Sequence, residues 1–174
     1  MNKRKPIQTQ HEKSFINRFL CWLHENTGEQ FKVLERPNPP DAIIGSDYRT
    51  SWVEACNTFY PEGYAQDIWS RVTPGEIYKP MPKTFQQDID LKFAECFADS
   101  LKDKLSKESY SEYVKKYGQG YLIIGMQSPW FDETTKIYMR RECEARNFEN
   151  KGSFNKIFIE YCHINKNAFQ EWHL

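Results

Sequence analysis

Apolar positions recur at helical spacing in the stretch that follows Thr9, and then in three shorter runs. The first pattern predicts a helix that begins near Thr9 and ends near Gly28. Thr9 and Glu12 have the spacing of a capping box, so we expect Glu12 to close that box at the start of the helix. The three short runs predict strands over residues 31–35, 41–45 and 50–58.

Prolines and glycines break the pattern between the third strand and the next long helix. We expect an irregular insertion over residues 60–86, with a short helical piece near residues 64–72. Irregular stretches of this length are uncommon in compact domains unless they contribute to function. The aromatic residues of the insertion alternate with Arg71, Lys79 and Lys83, which suits contact with bases and phosphates. A surface loop folded over its own aromatic cluster explains the pattern equally well.

The second half of the chain alternates helical and strand patterns. It predicts a helix over residues 87–117 ended by Gly118, a strand over 121–125, a helix over 132–146 and a strand over 154–164. Residues 165–174 form a tail whose Phe169 and Trp172 are expected to dock on the domain. An antiparallel meander followed by helix-connected strands predicts one α/β domain over residues 1–174, with a mixed sheet and helices on both faces.

The composition excludes several classes of protein. The 174 residues are 39% hydrophobic, which suits a packed core, and Lys+Arg and Asp+Glu number 24 each, so no global basic field indicates nucleic-acid binding. A local basic patch is compatible with zero net charge. The five cysteines form no CxxC pair, which disfavours structural zinc and indicates reduced thiols in a cytoplasmic protein. The basic N-terminus lacks the apolar segment of a signal peptide, and no run is long enough to cross a membrane.

Two acidic residues occupy matching positions in the predicted hairpin. If its turn is centred between Asp47 and Tyr48, Asp41 lies directly opposite Glu54 on the same face of the sheet. Neighbouring carboxylates repel each other unless a cation lies between them. Mg²⁺ prefers oxygen ligands of this kind, so the hairpin predicts a site for a divalent cation.

Neighbouring residues supply further ligands and also alternatives to a metal site. The backbone carbonyl of Cys56 is a candidate ligand, and Glu12 is a candidate third acid, although the capping box is its preferred explanation. Asp41 could instead cap a turn after the two prolines, and Glu54 could pair with Arg49 or Arg36 across the hairpin. Because apolar residues surround Glu54 in the sequence, its charge needs a partner or a metal, which favours the metal site.

The two strands and the elements around them resemble the PD-(D/E)xK nuclease superfamily, whose members share the restriction-endonuclease-like fold. The resemblance rests on Pro40 and Asp41 at the start of one strand, on Val53-Glu54-Ala55-Cys56 in the next, and on the order of elements from Glu12 to Ile164. It implies a nuclease that hydrolyses phosphodiester bonds of nucleic acid, DNA in particular, with Mg²⁺ or Mn²⁺ bound by Asp41 and Glu54. A homodimer is compatible with this resemblance.

One position departs from the family pattern. The family usually has lysine two residues after the glutamate, where this chain has Cys56, and a neutral thiol does not supply that charge. In some relatives the lysine moves to the following helix, where Lys104 is the best candidate and Lys107 and Lys92 are weaker ones. Each is also explained as a solvated lysine on a helix face. Catalysis is favoured if Lys104 reaches the two carboxylates; otherwise the chain is an inactive nuclease-fold module that binds nucleic acid or protein.

Overall fold

The computed structural model describes residues 4–59, 67, 70–73, 75, 77–80, 88–128, 131–148, 150–163 and 166–174. Most of the insertion predicted over residues 60–86 lies outside the described residues, and so does most of the helical piece predicted near residues 64–72. Among the helices that the structure describes, none is both long and apolar enough to cross a membrane.

The fold is built from helices and strands that follow one another as the hydrophobic patterns predict, with one added strand. The helices are α1 (Arg4–Thr27), α2 (Ile89–Leu105), a 3₁₀ helix (Glu108–Tyr110), α3 (Ser111–Tyr117) and α4 (Glu133–Ala145). The strands are β1 (Lys32–Glu35), β2 (Ala42–Gly45), β3 (Thr50–Phe59), β4 (Gly120–Gln127), β5 (Phe154–His163) and β6 (Lys166–Trp172). The added strand is β6, within the predicted tail.

Two helix boundaries differ from their predictions. α1 begins at Arg4, so Thr9 and Glu12 lie inside the helix and the predicted capping box is wrong. The Thr-x-x-Glu pattern also suits a helix interior, because glutamate is a good helix former. Ser106 ends α2, so the predicted long helix is divided into α2, the 3₁₀ helix and α3. Gly118 follows the end of α3 with a φ of 75°, and the predicted stop at this glycine is confirmed.

The described strands form one mixed sheet in which spatial order equals sequence order, from β1 to β6. β1, β2 and β3 are antiparallel neighbours, and β3, β4 and β5 are parallel. β6 closes the other edge as an antiparallel neighbour of β5. The predicted α/β architecture, with a mixed sheet that begins as an antiparallel meander, is confirmed.

Helices cover both faces of the sheet and enclose two apolar cores. On one face, Trp52 and Leu122 belong to a core that includes residues of α2, the 3₁₀ helix and α4. On the other face, Val53 and Ile123 belong to a core that α1 covers with Phe19. Trp52 and Val53 are consecutive residues, and their side chains point to opposite faces because side chains alternate along a strand. The first half of β3 is therefore buried on both sides.

An ion pair and an aromatic cluster attach α1 to the end of the sheet farthest from β1. The guanidinium of Arg18 donates to both carboxylate oxygens of Glu160 on β5, at 2.7 and 2.9 Å. The ring of Phe19 lies 5.2 Å from that of Phe158 and 5.3 Å from that of Phe169, measured between centroids. Phe169 belongs to β6, so the predicted tail docks on the domain as a strand. That strand was not predicted, because polar residues interrupt its short apolar pattern.

Gly120, at the start of β4, is a position where any side chain would clash. A Cβ atom there would clash with the indole ring of Trp52 and would lie 2.7 Å from the Trp52 backbone oxygen. The indole cannot move away easily, because its Nε1 donates to the carbonyl of Gly118 at 2.9 Å. We therefore expect Gly120→Ala to lower the free energy of unfolding by about 1–3 kcal/mol, measured by urea denaturation.

Gly45→Ala is the matched control for this prediction. Its added Cβ would meet Leu34 Cδ1 at 2.8 Å, but the Leu34 side chain is 57% exposed and free to rotate away. We expect Gly45→Ala to lower the free energy of unfolding by less than about 1 kcal/mol, which is usual for a substitution at the surface. If both variants lose the same free energy of unfolding, the contact with Trp52 is not what destabilises Gly120→Ala.

Candidate metal centre

The β2–β3 hairpin has the register that its turn signal predicted. Ala42 pairs with Val53 in this antiparallel ladder. Continuing the ladder by one residue sets Asp41, which immediately precedes β2, opposite Glu54. The two acidic residues therefore lie side by side, as the sequence predicted.

Asp41 is a partly buried carboxyl group with a raised proton affinity. Its Oδ2 accepts a hydrogen bond from the backbone N–H of Ala55 at 2.8 Å, so it contacts the neighbouring strand across the hairpin. Burial, followed by the negative charge of Glu54, raises the pKa of Asp41 from 3.8 to about 6, against the effect of that hydrogen bond. Positive charge placed beside Asp41 would favour its ionised form.

Glu54 carries its carboxylate into the core, because β3 is buried on both faces at this point. Its side chain is 4% exposed, and its Oε1 accepts a hydrogen bond from Lys104 Nζ at 2.6 Å. Its Oε2 is buried and has no hydrogen-bond partner among the described residues. The pairing with Arg49 considered from the sequence is not formed, since Arg49 binds Glu29 at 2.7 Å.

Lys104 reaches Glu54 because α2 packs over this part of the sheet. Phe97 and Leu101 anchor α2 in the core, and Lys104 follows Leu101 by one turn at the edge of that apolar stripe. Its side chain is only 16% exposed. Burial alone would lower the pKa of Lys104, but the charge and hydrogen bond of Glu54 outweigh burial and raise it. The pair is therefore a largely buried ion pair.

Tyr110 belongs to the same cluster, although no sequence signal marks it. Its ring packs between Trp52 and Phe154, with both centroids 5.3 Å away. Its buried hydroxyl lies within hydrogen-bonding reach of the Glu54 carboxylate. Burial, followed by the charge of the nearby Glu54, raises the pKa of Tyr110 above its ordinary value, so the hydroxyl stays protonated. The residue lies in the 3₁₀ helix that the pattern had merged with α2.

Glu12 and Cys56 line a cavity of about 190 Å³ between α1 and the second half of β3. Burial, followed by the charge of Glu54, raises the pKa of Glu12, so a third acid lies within electrostatic reach of the pair. Burial also raises the pKa of the Cys56 thiol to about 12. Cys56 is therefore neutral at physiological pH and does not supply the positive charge of the family's lysine.

The oxygen atoms at this site suit a hard divalent cation that takes few ligands from the protein. Among the described residues, no group of three His, Cys, Asp or Glu side chains is arranged to hold a metal ion. Mg²⁺ is commonly bound by one or two carboxylates, with water and substrate phosphate completing its shell. Asp41 and Glu54 offer two carboxylates, and the unpartnered Oε2 of Glu54 is an oxygen that a cation would satisfy. A cation held here would therefore take two carboxylate ligands from the described residues and complete its shell with water and substrate.

No protein-family model, curated protein or solved structure matches this chain. The nuclease resemblance therefore has no support from relatives. The positions of Asp41, Glu54 and Lys104 are the basis for interpreting the site.

Proposed function

We propose that this chain is a nuclease dependent on Mg²⁺ or Mn²⁺, with DNA as the favoured substrate and a PD-(D/E)xK type of centre on a restriction-endonuclease-like fold. The observation that carries the proposal is the 2.6 Å contact between Lys104 Nζ and Glu54 Oε1, beside Asp41. A lysine from the helix after the hairpin supplies the charge that Cys56 lacks. The order of helices and strands around the hairpin supports the same family.

Each residue of the cluster has a role in the proposed reaction. Asp41 and Glu54 bind the cation, with the backbone carbonyl of Cys56 as a further oxygen and Glu12 as a third acid from α1. A cation held by these residues would supply activation of water and neutralisation of charge on the phosphodiester. Lys104 stabilises the negative charge that develops on the phosphoryl oxygens as water adds to phosphorus and one P–O ester bond breaks.

Cleavage assays test the proposal directly. The protein incubated with linear DNA, and separately with RNA, in Mg²⁺ or Mn²⁺ should release shorter products. Asp41→Asn, Glu54→Gln and Lys104→Met should each lower the rate at least about 10²-fold, because each removes a charge that acts on the transition state.

Two matched controls separate the site from its surroundings. Asp47→Asn removes a carboxylate from the exposed turn of the same hairpin, and Lys102→Met removes an ammonium group from the exposed side of α2. Both variants should retain the wild-type rate. Cleavage that persists in all three site variants would refute the assignment of this centre.

An inactive nuclease-fold module that binds nucleic acid or protein is the second candidate function. One observation favours it: the neutral thiol of Cys56 stands at the position where the family usually has its lysine. This candidate predicts that DNA is retarded in a gel-shift experiment but is not cut in either metal. If the protein cleaves DNA and Glu54→Gln abolishes that cleavage, this second candidate is excluded.

Assembly and compartment complete the proposal. Homodimerisation remains a prediction, which sizing by light scattering would test. We place the protein in the cytoplasm, where its nucleic-acid substrate would be accessible and where the free thiols of Cys21, Cys56, Cys96 and Cys143 would stay reduced. Cell fractionation would test that placement.

A further inference from the structure

We infer that Lys104 is a displaceable counter-ion for Glu54. In the metal-free protein its ammonium group neutralises that carboxylate, and it leaves Glu54 when Glu54 and Asp41 bind a divalent cation. The ammonium group then becomes available to a substrate phosphate only once the metal is in place. The inference rests on the proposed function and adds an order of events to it.

The first support is the geometry of the ion pair. At 2.6 Å, the contact between Lys104 Nζ and Glu54 Oε1 is a short, charge-assisted hydrogen bond. The Lys104 side chain is largely covered by the protein, so little of it is offered to a ligand in solution. A role at a phosphate therefore requires the ammonium group to move away from Glu54.

The second support is the charge balance of the cluster. Two neighbouring carboxyl groups, those of Asp41 and Glu54, face one ammonium group, that of Lys104. A divalent cation bound by Asp41 and Glu54 balances these two carboxylates by itself. The charge of Lys104 is then in excess and is repelled by the cation.

The third support is that the surroundings accommodate both states of the pair. The buried Tyr110 hydroxyl lies close enough to Glu54 to donate a hydrogen bond to its carboxylate, so it can stabilise that carboxylate after Lys104 leaves. Lys104 lies in the last turn of α2, beside the exposed residues Ser106 and Lys107. The end of a helix favours a cation there, and the side chain has a route to solvent.

Chemical labelling of lysines in the wild-type protein measures the displacement. The protein is treated with a limiting amount of acetic anhydride, without metal and with saturating Mn²⁺, and acetylation of each lysine is quantified by mass spectrometry. We expect acetylation of Lys104 to rise at least about threefold with Mn²⁺, because its ammonium group moves from a largely covered position into solvent. Lys102 and Lys115 are exposed internal standards and should change less.

Calorimetric titration with Mn²⁺ separates the failure of this inference from the failure of the metal centre. If Mn²⁺ binds and acetylation of Lys104 stays constant or falls, displacement is overturned while the metal centre stands. If Mn²⁺ does not bind, the proposed centre fails and displacement fails with it. Asp41→Asn retains the pair of Lys104 and Glu54 but loses a metal ligand, so its Lys104 should stay protected in Mn²⁺. Exposure of Lys104 in that variant would also count against displacement.

Discussion

Replacing Lys104 with methionine should lower the free energy of unfolding by about 3–5 kcal/mol, which is the usual cost of removing one partner of a buried ion pair. Methionine keeps an unbranched apolar side chain, so packing along α2 is largely preserved. The Glu54 carboxylate, however, would remain buried without the cation that now lies 2.6 Å from its Oε1. Urea denaturation of wild type and variant in metal-free buffer measures the difference.

The double variant Glu54→Gln with Lys104→Met should recover most of that loss and unfold within about 2 kcal/mol of wild type. Glutamine has the shape of glutamate, and with both charges removed neither group is left unpaired. Lys102→Met, on the exposed side of the same helix, should change stability by less than about 0.5 kcal/mol. If the effects of the two single substitutions simply add in the double variant, the contact contributes no coupling and the interpretation of this pair is wrong.

Asp41→Asn should stabilise the metal-free protein by about 1–3 kcal/mol near pH 8 and should have little effect near pH 4. The pKa of Asp41 is about 6 in the folded protein against an ordinary value of 3.8, so the folded state binds this proton more tightly than the unfolded chain. The stability that protonated Asp41 provides is therefore complete below about pH 4 and is lost as the pH rises through about 6. Asparagine does not ionise, and its side-chain oxygen can still accept the N–H of Ala55.

Urea denaturation across this pH range tests the prediction, with Asp47→Asn in the exposed turn as the control. The stability difference between Asp41→Asn and wild type should grow from about pH 4 to about pH 7 and then level off. Added Mn²⁺ near pH 8 should reverse the order, because it stabilises only the protein that binds it. A difference that is constant with pH would show that Asp41 does not hold its proton more tightly in the folded state.

The hairpin was predicted accurately because a turn of known centre determines which positions oppose each other. A shift of one residue in the pairing of β2 with β3 would place Ile43 and Trp52 on opposite faces of the sheet. Because both faces of β3 are packed against other residues, such a shift is disfavoured and the register is well determined. The helices were predicted from the helical spacing of their apolar residues, but the residue at which α1 begins was not predicted. The sequence there fits both a capping box at the start of a helix and the interior of a longer helix. Residue spacing alone does not distinguish the two.

The candidate site was only partly predictable, because its members meet through tertiary packing. Asp41 and Glu54 could be paired from the register, and Lys104 could be proposed from its place at the edge of an apolar stripe. Its contact with Glu54 spans 50 residues and depends on how α2 lies on the sheet. Tyr110 has no such local mark, since its approach to Glu54 follows from a break after α2 that the hydrophobic pattern does not show.

The order of the sheet has a consequence for synthesis on the ribosome. Strands β1 to β6 emerge in the order in which they lie side by side, so each new strand finds its neighbour already made. α1 emerges before all of these strands, yet Arg18 binds Glu160 on β5, and Phe19 packs on Phe158 and Phe169 of β5 and β6. The apolar side of α1 is therefore fully covered only after β5 and β6 have been made. In the nascent chain, α1 therefore needs protection from aggregation until those two strands are available.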